Sequence, residues 1–198
     1  MLVVLVALAG FAVWWINREP SPPGNVLLVG DSLFFQSADE LTNMVESDGW
    51  TVDVQAGIGA GIEGGGLLPT DWVTYLKPIV EKEDPEVVVI ELGTNGCGPS
   101  CEGIRREIDQ VLGTVKDADL VIWLTVRTAP GRGVAQAINR EIAAAQDRWD
   151  NLEVGPMDKW FTNRRDLLNP DGVHLNPAGQ RHLAQNVLEI LRDHTDRL

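Results

Sequence analysis

At 198 residues, with 44% hydrophobic and 6% aromatic content, the chain holds apolar material for one well-packed domain and little for a second. Its 29 acidic against 16 basic residues give a formal charge of −13, which argues against nucleic acid or an anionic membrane surface as the partner of the folded part. A soluble monomer acting on a neutral small molecule is the expectation.

Residues 1–16, MLVVLVALAGFAVWWI, carry no charged side chain and read as an N-terminal hydrophobic signal anchor or signal peptide. The stretch is slightly short of the roughly 20 residues that span a bilayer comfortably. Trp14 and Trp15 stand where interfacial aromatics usually lie, and no A-x-A site follows, which favours a retained anchor and hence a membrane partner through this segment. Residues 17–24, NREPSPPG, form a stiff Pro-rich linker, and the folded domain is expected over 25–198. Cys97 and Cys101 lie in a Gly- and Pro-containing loop, CGPSC, that suits a disulfide, and such a pair favours an extracytoplasmic location. Two cysteines without a nearby histidine supply too few ligands for zinc.

From Asn25 onward short apolar runs alternate with stretches of helical spacing. Val26 to Val29 predicts a first strand, after which Phe34, Ala38, Leu41 and Val45 recur on one helical face. Thr51 to Gln55 predicts a second strand, then a glycine-rich loop, then a helix marked by Trp72, Tyr75, Leu76, Ile79 and Val80. Glu86 to Leu92 (EVVVIEL) has the composition of a strand buried on both faces, and Ile104, Ile108, Val111, Leu112 and Val115 stripe the helix after it. Leu120 to Val126 is a fourth strand. Val134, Ile138, Ile142, Ala145 and Trp149 mark a helix, and Leu152 to Val154 is a short fifth strand. A last helix opens on Asn176 as N-cap and Pro177 at the first position, and is lined by Leu183, Ala184, Val187, Leu188 and Leu191. Strands separated by helices throughout predict a three-layer α/β/α sandwich around a five-stranded parallel sheet. Ligands of such sheets bind beyond the C-terminal strand ends, so the residues just after each strand carry the functional question.

After the first strand comes Gly30-Asp31-Ser32-Leu33, a serine at a strand-to-helix turn. A serine so placed attacks an acyl carbon while its own N–H helps hold the oxyanion; the plainer reading is a helix N-cap. After the third strand, Gly93-Thr94-Asn95-Gly96 puts an amide donor at the same end of the sheet, where an asparagine also serves as a simple turn former. Before the last helix, Asp171-Gly172-Val173-His174 holds a carboxylate three residues from an imidazole, a spacing that lets Asp171 accept the Nδ1 proton and leaves Nε2 free for a serine. Without the serine, a loop aspartate beside a surface histidine explains the pair equally well. His182 and His194 lack such a partner and read as surface residues.

In joint order and spacing these segments resemble the SGNH, or GDSL, hydrolase family over residues 25 to 193. The resemblance implies a flavodoxin-like sheet and a serine ester hydrolase that cleaves or transfers a small acyl group from a carbohydrate or lipid ester. It makes Ser32 the nucleophile, His174 the base, Asp171 its carboxylate, and Asn95 with the Ser32 N–H donors to the oxyanion. The loop after the second strand, Gln55 to Gly61, is similar to the family's N-x-G-I-G-G segment, whose register puts the remaining oxyanion donor on Ala60, with Gly59 and Gly61 one step away. Alanine stands there in place of glycine, and Gly96 stands where many relatives have aspartate. No metal and no cofactor is expected, since a serine triad needs none.

Two other readings compete. Gly59-Ala60-Gly61-Ile62-Glu63-Gly64 matches G-x-G-x-x-G, yet a dinucleotide site wants that loop after the first strand and opening directly into a helix. A catalytically inactive acyl- or glycan-binding module keeps the cleft but loses nucleophile or base, and here all three triad residues are retained. Arg127 borders the site or is an exposed solubilising charge. Trp72 and Trp160 are candidates to line a cleft, while the position of Trp123 within a strand makes it core.

Overall fold

The computed structural model describes residues 24–96, 101, 103–127 and 133–195. Residues 1–16 and Cys97 lie outside them. Five strands, β1 (Asn25–Gly30), β2 (Thr51–Ala56), β3 (Val87–Glu91), β4 (Leu120–Leu124) and β5 (Leu152–Gly155), form one parallel sheet in the order β2-β1-β3-β4-β5. Between and after them run α1 (Ser32–Glu46), α2 (Trp72–Glu83), α3 (Ile104–Thr114), α4 (Gly133–Ala145), the short α5 (Met157–Trp160), a 3₁₀ turn at Arg165–Leu167, and α6 (Pro177–Thr195). The predicted α/β/α sandwich is therefore the observed one. Only α5 and the 3₁₀ turn carry no periodic signal, because a single turn is too short to repeat one.

Side-chain alternation along the strands divides the interior into two cores. Leu27, Val29, Val88, Ile90, Val121 and Trp123 face one way, onto α2, α3 and α4. Val26, Leu28, Val87, Val89, Ile122 and Leu124 face the other, onto α1 and α6. Trp123 is fully buried and its indole N–H donates to the Leu92 carbonyl at 3.2 Å, which bears out its reading as core. Among the described residues no helix is long and apolar enough to cross a membrane.

Asp84 ends α2 in the left-handed region, with its N–H on the Val80 carbonyl. At the far end Asn176 caps α6 as expected, its Oδ1 accepting from the Gly179 N–H at 3.0 Å. Strand order reverses around β1: the chain leaves β1 toward one face, into α1, and leaves its two neighbours β2 and β3 toward the other, into α2 and α3. The loops after these three strands therefore meet beside one crevice.

Leu28 is fully buried in the central strand, so Leu28→Ala is expected to lower unfolding free energy by about 2–5 kcal/mol. Leu67, 76% exposed in the loop after β2, should tolerate the same change within about 0.5 kcal/mol. Denaturant midpoints of the two variants check both.

Candidate active site

The turn after β1 begins with Gly30, where a Cβ would sit 2.5 Å from Cβ of Phe34, so only glycine lets the strand end this close under α1. Asp31, not Ser32, caps the helix: its Oδ1 accepts the Leu33 N–H at 2.9 Å. Ser32 thus occupies the first helical position with its hydroxyl uncommitted to the backbone, and its N–H faces the end of the helix where the macrodipole is positive. The simple N-cap reading of the serine fails because its neighbour takes that role.

Ser32 Oγ lies 3.2 Å from His174 Nε2, and His174 Nδ1 lies 2.7 Å from Asp171 Oδ2. Asp171 Oδ1 accepts the N–H groups of Val173 (2.8 Å) and His174 (3.0 Å), which curls the Asp-Gly-Val-His segment into one turn. The segment is staked from several sides. Asn169 N–H donates to the His174 carbonyl at 2.8 Å, Leu168 and Leu175 pair as an antiparallel bridge, and Asn176 Nδ2 donates to the Asp166 carbonyl at 2.8 Å. Arg127, half-buried after β4, donates from Nη2 to the Gly172 carbonyl. Its charge thus braces the turn that carries Asp171 and His174.

These contacts hold the Asp171 carboxyl down at about 2, first through the His174 hydrogen bond and then through the two backbone N–H groups. An ionised carboxylate on Nδ1 keeps that nitrogen protonated and Nε2 free to accept, so the arrangement can draw a proton from a serine hydroxyl.

The loop after β3 turns at Gly93, with φ +125, where a Cβ would approach Cγ2 of Val126 to 2.6 Å. That turn presents Asn95, whose Nδ2 donates to the Ala60 carbonyl at 2.9 Å and to Asp31 Oδ2 at 3.2 Å. Asn95 therefore ties together all three loops at the sheet reversal. Facing two acceptors, the amide can present only its nitrogen to this side. In the loop after β2, Ala60 is fully buried and its N–H closes a turn onto the Gly57 carbonyl at 3.1 Å. Gly59 is exposed with φ +75.

Other expected residues fall elsewhere. Trp72 is fully buried, with its indole N–H on the Gly61 carbonyl at 2.9 Å, so it braces the glycine-rich loop and is no wall of an open cleft beside Ser32. Trp160 packs half-buried against the core beneath α1 and α6. His182, expected at the surface, is half-buried on α6: its ring stacks edge-on against Phe161 at 5.4 Å, and its Nε2 lies 3.1 Å from the Trp160 carbonyl. The short α5 and Phe161, which caps it, supply the two contacts, and that element gave no periodic signal. The side chain of His194 lies outside what is described. Cys101 is disulfide-bonded and packs against the core, while Cys97, its expected partner, lies outside the described residues. Among the described residues no group of three or more His, Cys, Asp or Glu side chains could hold a metal ion. The glycine-rich loop opens into no helix, since α2 begins only at Trp72 after an antiparallel bridge between Gly64 and Asp71. This removes the ground for a nucleotide site.

Two buried acids at the site were missed. Asp31 and Glu91 are 0% and 1% exposed, directly behind Ser32 and Asn95. The available signal was a lone acid in an otherwise apolar strand, VVVIE.

Comparison with known proteins places the chain by family and by fold. The model of the GDSL-like lipase/acylhydrolase family matches residues 28–182. Two Staphylococcus aureus proteins (strains MSSA476 and MW2), provisionally named O-acetyltransferases, are each 29% identical over 111 residues, covering 56% of this chain and 17% of theirs. The chain thus spans less than a fifth of the length of these curated relatives. Among solved structures, the psychrotrophic esterase EstA from Pseudoalteromonas sp. superposes with a TM-score of 0.71 at 15% identity, over 87% of this chain and 98% of that one. A carbohydrate acetylesterase from Sinorhizobium meliloti gives 0.63 at 15% identity, over 85% and 98%. Both structural likenesses are of fold. With the family model matched from within β1 to within α6, the chain belongs to the GDSL-like lipase/acylhydrolase family, the SGNH hydrolases.

Proposed function

We propose that Ser32, His174 and Asp171 are the catalytic triad of a serine esterase that removes a small acyl group, acetyl first among candidates, from a carbohydrate ester. The observation that carries the reading is the relay of contacts from Asp171 through His174 to Ser32, at 2.7 and 3.2 Å. His174 Nε2 takes the proton as Ser32 Oγ bonds to the ester carbon, and Asp171 stabilises the resulting imidazolium. The Ser32 N–H, the Asn95 amide and an N–H of the Gly59–Ala60 segment hold the oxyanion. Collapse expels the alcohol, which takes its proton from His174, and leaves an acyl-Ser32 ester. Water, deprotonated by the same histidine, then releases the acid and restores the serine.

The names of the relatives support acetyl and carbohydrate. They also favour one second reading, in which a sugar hydroxyl replaces water at the last step and the acyl group is moved. Residues 25–198 form the hydrolase domain on this reading, acting as a monomer. The apolar segment 1–16 and the disulfide at Cys101 support an extracytoplasmic place for it, anchored or secreted.

Hydrolysis of p-nitrophenyl acetate and longer homologues, beside acetylated oligosaccharides, tests the proposal. Ser32→Ala is expected to abolish turnover with the fold intact; an undiminished rate would rule the serine out. Asn95→Ala should lower kcat on the order of a hundredfold or more, with KM little changed. Equal activity in that variant would remove Asn95 from the oxyanion site.

Asp171 adds a test independent of activity. Because its carboxyl is lowered in the folded state, the stabilisation it contributes is present above the ordinary 3.8 and is lost as pH falls through about 2. A carbon-13 NMR titration should place its midpoint near 2 in the wild type and nearer 3.8 in His174→Ala.

A further inference from the structure

Behind the proposed oxyanion site, two carboxyl groups share one small buried space. Gly30 and Glu91 are register partners on β1 and β3, and the Asp31 N–H donates to the Glu91 carbonyl at 3.2 Å, so the two acids leave adjacent strand ends together. Both side chains are buried, at 0% and 1% exposure, and each acts directly on the ionisation of the other. Two buried carboxyl groups so close cannot both ionise without a large electrostatic cost.

The remaining contacts say which one. Asp31 is surrounded by donors, accepting the Leu33 N–H on Oδ1 at 2.9 Å and the Asn95 amide on Oδ2 at 3.2 Å. Glu91 accepts from Thr94 Oγ1 on Oε1 at 3.2 Å, and its Oε2 has no hydrogen-bond partner among the described residues. An ionised Oε2 would be a bare buried charge. A protonated one has a ready acceptor in Asp31.

We propose that Glu91 is a positioning residue that keeps a proton and donates it to Asp31, so that one negative charge and not two lies behind the oxyanion site. This rests on the reading of Ser32 and Asn95 given above. A doubly ionised pair would act twice against catalysis. It would set a second negative charge beside the developing oxyanion, and it would draw the Asn95 amide onto Asp31 and away from substrate. Of the two hydrogen bonds that the Asn95 amide donates, the one to Asp31 is the longer, at 3.2 against 2.9 Å, and is the one an oxyanion would replace; a single shared charge on the pair keeps that exchange easy.

Burial pushes Glu91 well above the usual glutamate value, with the Asp31 charge adding to it, and burial likewise raises Asp31. The charged groups acting on the pair are its own two members and His174, reaching across from the loop before α6; Thr94 is neutral, and β4 beside β3 has no ionisable residue. The stabilisation given by the protonated pair is therefore complete below the ordinary carboxylate range and is lost as pH rises through the pair's folded-state value.

Glu91→Gln keeps the shape and a donor to Asp31 but cannot ionise, whereas Glu91→Leu removes the donor. On p-nitrophenyl acetate near pH 7, Glu91→Gln should retain kcat within about threefold, and Glu91→Leu should lose on the order of tenfold or more in kcat with KM within about twofold. Wild-type kcat should fall on the alkaline side, and Glu91→Gln should lack that fall. Infrared spectra at neutral pH should contain a protonated-carboxyl band, shifted in deuterium oxide, that is missing in Glu91→Gln. Its absence from the wild type overturns the proposal, as does equal activity of the Gln and Leu variants or an equal loss in both. Should Glu91→Leu not fold, coincident alkaline profiles of wild type and Glu91→Gln overturn it. An Asn95→Ala enzyme as active as wild type sinks the underlying reading of the site instead, a result that leaves the infrared band untouched.

Discussion

The hydrogen bond from the Leu33 N–H to Asp31 is the contact on which the arrangement of the site depends. Every helix begins with N–H groups that need acceptors, and a serine at the start of α1 is a good cap by nature. Had Ser32 taken that role, its oxygen would be turned back onto the helix. Because Asp31 caps from one residue earlier, Ser32 moves to the first helical position and its oxygen is free to face His174 at 3.2 Å. The same carboxylate then accepts from the Asn95 amide, and its residue's N–H donates to the Glu91 carbonyl, so one residue links the helix start, the amide and the strand end that carries the buried acid.

Topology brings these parts to one place. Parallel strands put all their C-terminal ends on one edge, and the reversal of order around β1 opens a crevice there. Ser32, Asn95 and the Gly57–Gly61 turn each follow one of the three strands that flank it. The fourth part, the Asp171–His174 turn, arrives from the far end of the chain and has no strand of its own to hold it. Its position comes from side contacts: the Arg127 guanidinium on the Gly172 carbonyl, the Asn176 amide on the Asp166 carbonyl, and the bridge between Leu168 and Leu175.

Much of this was legible in the residues because the signals are local. Strands such as EVVVIEL and LVIWL, and helices striped at three- and four-residue intervals, declare themselves by periodicity, and Asp171 to His174 closes within a single turn. What escaped depends on tertiary proximity. Trp72 looked available to a ligand, since nothing local says that its indole will be sealed over the Gly61 carbonyl. His182 looked exposed, because the α5 turn and Phe161 that cover it lie far away in sequence. Arg127 read more readily as a surface charge than as a site residue, since only the folded chain shows its reach to Gly172. Glu91 was visible as an acid inside an apolar strand, but its meaning needed the partner that the parallel register supplies.

Charge placement within the site follows a pattern that the acidic composition makes demanding. Asp171 sits on the far side of the imidazole from Ser32, and in the proposed mechanism its negative charge is matched when the ring takes the serine proton. Asp31 lies on the other side, beneath the Asn95 amide, where in that mechanism proton transfer creates no new cation and the developing oxyanion is the nearest new charge. A carboxylate there opposes the charge that the site must stabilise, and burial leaves little water to screen it. Its capping role prevents its removal. Sharing a proton with a second buried acid spreads the one charge and orients it away from the amide. An acid added at Glu91 thus reduces the electrostatic cost of the acid already required at Asp31, provided that only one of the two is ever ionised.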